Sequence, residues 1–230
     1  MPKNALRKKI SKEDNFSYLL FSLIFLLFSS SAAEQFMVRS SAGQYLIIAL
    51  TIITMSIAIW SMRSSRYAFN TGVGMLVGTF LITAIVLVLD KAELEFIHLL
   101  LMLVFFLATL KLACQQALFS GKITTNSIIG SICIFLLLGL IWVLLYLLLI
   151  EFSPQSFSGF DGLSWKENLS DTIYFSFVTI TTLGFGEILP VSPIARFLVY
   201  MEAIVGVFYM AIVVSSLVGA GITDSQKPGV

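Results

Sequence analysis

The sequence predicts an all-α membrane protein with six transmembrane helices and one re-entrant helix. Of its 230 residues, 58% are hydrophobic and 12% are charged, whereas soluble domains carry about 25% charged residues. Six apolar runs are long enough to cross a bilayer, because a hydrocarbon core of about 30 Å needs roughly 20 helical residues. The runs are 16–33, 44–62, 72–89, 96–113, 127–150 and 194–220. A seventh run is too short to cross and predicts a re-entrant helix, which is tolerated only inside protein; it covers residues 172–180.

The distribution of basic residues predicts the orientation of these helices. With the N-terminus in the cytoplasm, the inner segments hold ten of the 14 Lys and Arg residues. Cytoplasmic loops are expected to carry this excess, so we expect a multi-pass protein of the plasma (cell inner) membrane, surrounded by lipid, with both termini cytoplasmic. Most acidic residues then fall outside, where they either concentrate cations before entry or form a merely solvated rim.

Several classes of function are disfavoured by composition. The net charge of +1 gives no indication of a nucleic-acid partner. Cys114 and Cys133 lack metal-binding or redox spacing, so free thiols are expected. His98 is the only histidine, which argues against a histidine-built metal or catalytic site. The spans offer no nucleophile–base pair, so we expect neither an enzyme nor an organic cofactor.

The stretch TTLGFGE, residues 181–187, is the most informative part of the chain. Its two glycines, Gly184 and Gly186, readily reach positive φ, which lets successive carbonyls point the same way. Four copies around an axis would stack rings of carbonyl oxygens that can replace the hydration shell of K⁺. The alternative is an ordinary glycine-rich turn between two helices.

This stretch resembles the selectivity filter of the tetrameric potassium channels, whose usual form is T-x-G-Y-G-D. The resemblance covers residues 127–222 and implies a homotetramer that conducts K⁺ passively through a central pore. It also implies that K⁺ is bound by the carbonyls of four residues, with a fifth at the outer mouth. In this sequence they are Thr182, Leu183, Gly184 and Phe185, and then Gly186.

Two departures from the usual filter bring its stability, rather than its selectivity, into question. Phe185 stands where tyrosine is usual, and Glu187 stands where aspartate is usual. The tyrosine hydroxyl normally bonds to the pore helix, where this chain has Tyr174 and Phe175. We therefore predict a filter with fewer cross-links beside Phe185, although Thr179 offers another acceptor.

The inner helix after the filter carries a glycine and an apolar stripe. Gly206 lies where the family places a hinge glycine, but close packing against the pore helix explains it equally well. Val207, Met210, Val214 and Val218 share one face at α-helical spacing. These four residues are expected to line the cavity and gate below the filter, which could close by dewetting.

Glu202 is the one acid well inside a span, and such acids are functional candidates. It lies four residues before Gly206, so the two share a helix face, with Ser176 or Thr179 as possible partners. One interpretation is a structural hydrogen bond only. The other is that burial favours the protonated form, which would brace the filter and make activity depend on pH.

The resemblance also divides the chain into segments. Residues 1–14 form a cytoplasmic segment, 15–113 a four-helix domain, 114–126 a linker, 127–222 the pore domain and 223–230 a cytoplasmic tail. The four-helix domain matches a voltage sensor in span count only. Its fourth span lacks an arginine ladder, and each gating charge is worth about 2.3 kcal/mol per 100 mV. We therefore expect little voltage sensing, and the gating stimulus stays open, including an unidentified regulatory partner or ligand.

Two alternatives to a potassium-selective channel stay open. One is a poorly selective monovalent cation channel on the same scaffold. The other is a subunit of a potassium uptake transporter, a class whose members carry several degenerate filters in one chain; the single filter with both glycines disfavours it. A last feature, Gly74 and Gly78 in the third span, predicts a close helix-packing face.

Overall fold

The computed structural model describes residues 15–37, 49, 51–59, 70, 73–74, 76–82, 85, 92–118, 125–160, 165 and 167–215. These residues are mostly helical. The terminal segments 1–14 and 223–230 lie outside the described residues, as do parts of the predicted second and third spans. The five bounded α-helices are α1 (Asn15–Met37), α2 (Ala92–Ala117), α3 (Thr125–Phe152), α4 (Leu169–Ile180) and α5 (Pro193–Tyr209).

Three helices in the described part of the chain are long and apolar enough to cross a membrane. They are Glu95–Ala117, Asn126–Phe152 and Pro193–Val213. Two shorter apolar helices, Phe16–Ala32 and Leu169–Ile180, accompany them. The second of these is α4, whose 12 residues match the short helix predicted before the filter.

The helix α3 is the centre of the packing, with α1, α2 and α4 against it. Gly130 permits close approach: a Cβ there would lie 2.7 Å from the Ala117 Cβ and 3.1 Å from the Phe16 ring. The Phe16 amide also donates to the Asn126 side chain at 3.4 Å. The first and fourth predicted spans therefore pack on α3 of their own chain.

Two features of the structure differ from the sequence-based expectations. The fourth apolar run was 96–113, and α2 continues beyond it to Ala117, into the segment assigned to the linker. A Cβ at Gly74 or Gly78 would meet no atom within 4 Å. The close packing predicted from these two glycines is therefore not formed within the described chain.

The two helices that flank the filter begin differently. Asn168 holds the N-cap position of α4, and its backbone carbonyl accepts from the Thr172 amide at 2.8 Å. Ser192 caps α5 with its hydroxyl, which accepts from the Ala195 amide at 3.1 Å, and Pro193 occupies the first turn. Both features are typical of helix starts, since serine supplies an acceptor and proline needs no donor.

A small β-structure joins the segment after α3, residues 153–160 and here called the turret, to the chain that follows the filter. After a 3₁₀ turn, Pro154–Ser156, the strand β1 (Phe157–Ser158) pairs antiparallel with β2 (Leu189–Pro190). The all-α prediction omitted these two short strands. Gly159, with φ of 95°, lies against Glu187, whose carbonyl would be 2.5 Å from an added Cβ. The turret thus holds the outer end of the filter loop.

Candidate functional site: the filter loop and inner helix

The backbone of the filter loop alternates in sign of φ. Thr182 has φ of 63°, Gly184 has 55° and Gly186 has 94°. Leu183 and Phe185, which lie between them, are not among the described residues with positive φ. A positive φ at a β-branched residue such as Thr182 is strained, at a cost of about 1–3 kcal/mol that surrounding contacts must offset.

Those contacts come from the C-terminal end of α4. The Thr182 amide donates to the Thr179 carbonyl at 2.9 Å, and the Leu183 amide donates to the Val178 carbonyl at 2.9 Å. The Gly184 amide also donates to the Val178 carbonyl, at 3.3 Å. The carbonyls that a helix end leaves without intrahelical partners thereby fix the inner half of the loop.

Tyr174 of α4 lies close to Glu187 at the outer half of the loop. Hydrogen bonding to the Glu187 side chain raises the pKa of Tyr174. Tyr174 therefore interacts with Glu187, the residue directly after the filter. From the sequence, Tyr174 was known only to occupy a position matching the family's aromatic partner. The sequence-based prediction of fewer cross-links concerned the surroundings of Phe185. It did not include the interaction between Tyr174 and Glu187.

Phe175 holds the position of the family's aromatic partner, and no ring contact between it and Phe185 is found within the described chain. Phe175 is buried and lies against Tyr146, Phe157 and Phe160, with ring centroids 5.4, 5.7 and 6.4 Å away. Phe185 is 68% exposed in the single chain. Phe175 therefore supports the filter loop indirectly, by fixing α4 against α3 and the turret.

Glu202 on α5 is fully buried and joins three helices. Its Oε1 lies 2.6 Å from the Ser176 hydroxyl on α4, and its Oε2 accepts from the Tyr146 hydroxyl on α3. The Ser176 hydroxyl is also 2.9 Å from the Gly139 carbonyl. Of the two partners considered from the sequence, Ser176 bonds to Glu202, and no such bond to Thr179 is found in the described chain.

Sequence reasoning missed Tyr146 as a partner of Glu202. The available signal was the one tyrosine of α3, which lies in an apolar stretch of that helix, because a buried phenol needs a partner. Gly139 was missed as well. A Cβ there would lie 2.7 Å from the Phe177 ring, so this glycine lets α4 approach α3 closely enough for Ser176 to contact the Gly139 carbonyl.

Gly206 of α5 lies directly against the C-terminal end of α4. A Cβ at this position would be 2.1 Å from the Ile180 carbonyl oxygen and 2.9 Å from the Ile180 Cγ1. Close packing, one of the two interpretations of this glycine, is therefore present. A hinge at Gly206 stays a prediction, and the helix is regular α through Tyr209.

The inner helix changes form immediately after Tyr209. The Tyr209 hydroxyl donates to the Ser131 carbonyl of α3, and a π-helix then runs from Met210 to Val214. The stripe predicted at α-helical spacing is therefore interrupted below Met210, because a π-helix has more residues per turn. The side chain of Val214 and the whole of Val218 lie outside the described residues.

An open cavity with a volume of about 760 Å³ lies between α3, the end of α4 and the inner helix. Val207 and Met210 line it together with Thr182, so two of the four predicted cavity residues adjoin the inner end of the filter loop. Each is about half exposed in the single chain, at 53% and 54%. The surface is mostly apolar, with hydroxyl groups at its filter end.

Comparison with known families identifies this part of the chain. Residues 131–221 match a family model described as an ion channel. The match begins within α3, includes α4, the filter loop and α5, and does not extend to the helices before them. Neither the curated proteins nor the solved structures gave a match.

Proposed function

We propose that this membrane ion channel, which is not an enzyme, is a potassium-selective homotetramer in which four filter loops surround a central pore. The family match supports the ion-channel function of residues 131–221. The selectivity and the number of subunits are the proposal. In it, the carbonyls of Thr182, Leu183, Gly184 and Phe185 bind K⁺, and Gly186 lies at the outer mouth.

The observation that carries the potassium assignment is the alternation of φ along the loop. Positive φ at Thr182, Gly184 and Gly186 alternates with ordinary φ, and such alternation turns successive carbonyls to the same side. An ordinary turn has no need to place a threonine in this strained region. Rings of carbonyl oxygens are the ligands that potassium filters use.

The exposure of the inner helix supports assembly around a pore. Only 17% of the apolar window in Pro193–Val213 is buried within one chain, compared with 61% for Asn126–Phe152. Leu183 in the filter loop is 62% exposed. One chain carries one filter loop, so a closed ring of carbonyls needs several copies, and four is the number that the resemblance implies.

The remaining parts of the proposal follow from sequence. The channel lies in the plasma membrane with both termini in the cytoplasm, as the basic residues predict. K⁺ is the permeating ion and no organic cofactor is needed. The four-helix domain has a structural or regulatory role rather than steep voltage sensing, and it leaves room for an unidentified partner or ligand.

Flux measurements test this function. Purified protein reconstituted into liposomes should pass K⁺ much faster than Na⁺, and bi-ionic reversal potentials should give the same order. Equal permeability would remove the potassium assignment and favour a poorly selective cation channel. Uptake that requires an ion gradient or an energy source would favour a transporter subunit. The native mass of the purified complex measures the number of subunits.

Two glycine-to-alanine variants test whether K⁺ flux depends on the backbone conformation of the filter loop. Gly184→Ala places a side chain at a position with φ of 55°, where alanine is strained. Gly78→Ala places the same methyl group in a helix where nothing lies within 4 Å. We expect the first variant to lose selective K⁺ flux and the second to retain it.

A further inference from the structure

The hydrogen-bonding cluster around Glu202 contains more contacts than its hydroxyl protons alone can supply. Three short contacts link Tyr146 to Glu202, Glu202 to Ser176, and Ser176 to the Gly139 carbonyl. Each contact needs one proton. Tyr146 supplies one and Ser176 supplies one, so the cluster lacks a proton unless Glu202 carries it.

The direction of each bond follows from the acceptors. The Gly139 carbonyl can only accept, so its 2.9 Å contact with Ser176 is a hydrogen bond only if the serine hydroxyl donates to it. We infer this direction, in which the serine proton points to the carbonyl. The serine oxygen then faces Glu202 Oε1 at 2.6 Å with no proton of its own left to donate. A carboxylate there would place two acceptors against each other, whereas a carboxylic acid would donate to the serine oxygen.

The surroundings of Glu202 also favour the neutral acid. Its side chain is fully buried, and among the described residues Tyr146 is the titratable group in contact with it. No cationic side chain of the described chain is recorded as its partner. Arg196 on the same helix instead donates to the Pro190 carbonyl at 3.3 Å. A buried carboxylate without a cation is costly because desolvation penalises the charged form.

The geometry points to Glu202 as a protonated positioning residue that holds α3, α4 and α5 together behind the filter. The protonated carboxyl oxygen of Glu202 donates a hydrogen bond to the Ser176 oxygen. The other carboxyl oxygen accepts a hydrogen bond from the Tyr146 hydroxyl. Ser176 lies six residues before Thr182, so this clamp sets the position of the helix whose end fixes the inner loop. Its effect on conduction rests on the proposed channel function, but the protonation state does not.

Infrared spectroscopy of the purified tetramer at neutral pH tests the protonation state directly. Glu202 is the one fully buried acid among the described residues, and exposed acids are ionised at this pH. We expect a carbonyl-stretch band of a carboxylic acid that is lost in Glu202→Gln. Absence of the band from the wild-type protein, or its persistence in this variant, would overturn the inference.

A second variant keeps the test decisive if Glu202→Gln does not assemble. Tyr146→Phe removes the donor to Oε2, so the same band should shift to higher frequency while the tetramer remains folded. Ser170→Ala, on the same helix as Ser176 but outside the cluster, is the matched control and should leave the band unchanged. A band that responds to Ser170→Ala and not to Tyr146→Phe belongs to another acid and refutes the assignment.

Comparing Glu202→Gln with Glu202→Ala tests whether Glu202 acts through its hydrogen bonds or only by filling buried space. The glutamine amide can donate to Ser176 and its carbonyl can accept from Tyr146, so Glu202→Gln should retain most of the wild-type cation flux. Glu202→Ala removes both bonds and should lose most of that flux in tetramers that still assemble. Equal flux in the alanine and glutamine variants, or loss in the glutamine variant alone, contradicts the clamp. These flux ratios do not depend on K⁺/Na⁺ selectivity, so failure of the potassium assignment would remain distinguishable.

Discussion

A single methyl group at Gly206 tests whether the inner helix supports the filter by direct contact. In Gly206→Ala the new Cβ would lie 2.1 Å from the Ile180 carbonyl oxygen. Ordinary carbon–oxygen contacts are about 3.3–3.6 Å, so the two helices must separate by roughly 1.2 Å. Ile180 precedes the strained Thr182 by two residues, so this displacement reaches the inner end of the loop.

The free-energy change of this substitution combines two opposing effects. Alanine favours a helix over glycine by about 1 kcal/mol. Overpacking against a neighbour costs about 1–3 kcal/mol, and more where the neighbour cannot move. The nearest atom is a backbone carbonyl rather than a flexible side-chain end, so the overpacking cost lies near the upper end of its range. We therefore expect net destabilisation of about 2 kcal/mol per chain together with reduced K⁺ flux.

Two measurements on the purified protein, which we propose to be a tetramer, check this expectation. Thermal dissociation in detergent reports the stability, and liposome flux reports conduction. Gly78→Ala is the control, because nothing lies within 4 Å of its Cβ position; it should be unchanged or slightly stabilised. A Gly206→Ala tetramer with wild-type stability and flux would refute the reasoning. A variant of normal stability whose open probability alone changes would instead favour a hinge.

Three further predictions concern other parts of the pore and the four-helix domain. Tyr174→Phe removes the hydrogen bond to Glu187 and should shorten channel openings, as seen in single-channel records; unchanged open times would show that the link is dispensable. Ser192→Ala removes the cap of α5 and should cost about 1 kcal/mol, measured as earlier thermal dissociation, whereas an unaltered transition would argue against the capping bond. Lys111→Gln should leave the conductance–voltage relation unchanged, and a large shift would assign Lys111 a gating charge.

The helices and the filter loop could be predicted from the sequence because their signals are local. Apolar run length sets a span, as with Ser127–Ile150 inside α3, and alternating glycines favour positive φ in the loop. Thr182 was expected to contribute a carbonyl, and its own positive φ was not foreseen because β-branched residues rarely adopt it.

The contacts around Glu202 and between the two short strands were predicted only in part because they join distant segments: Ser176 was named as a partner of Glu202, but Tyr146 was not. Tyr146 and Glu202 are separated by 56 residues in sequence, and their pairing depends on how closely α3 and α5 approach. The pairing of Phe157 with Pro190 involves strands too short to produce an alternating pattern. The π-helix after Tyr209 was also missed, since an α-helical period was assumed throughout the inner helix.

The contacts of the filter loop have a consequence for how the channel assembles. The bonds from α4, the link between Tyr174 and Glu187, and the pairing of β1 with β2 all lie within one chain. The bonds that shape the loop therefore need no second chain. In the proposed homotetramer, ordering a loop during association would subtract from the binding free energy, so a preorganised loop would leave more of the apolar burial on α5 available to hold the subunits together.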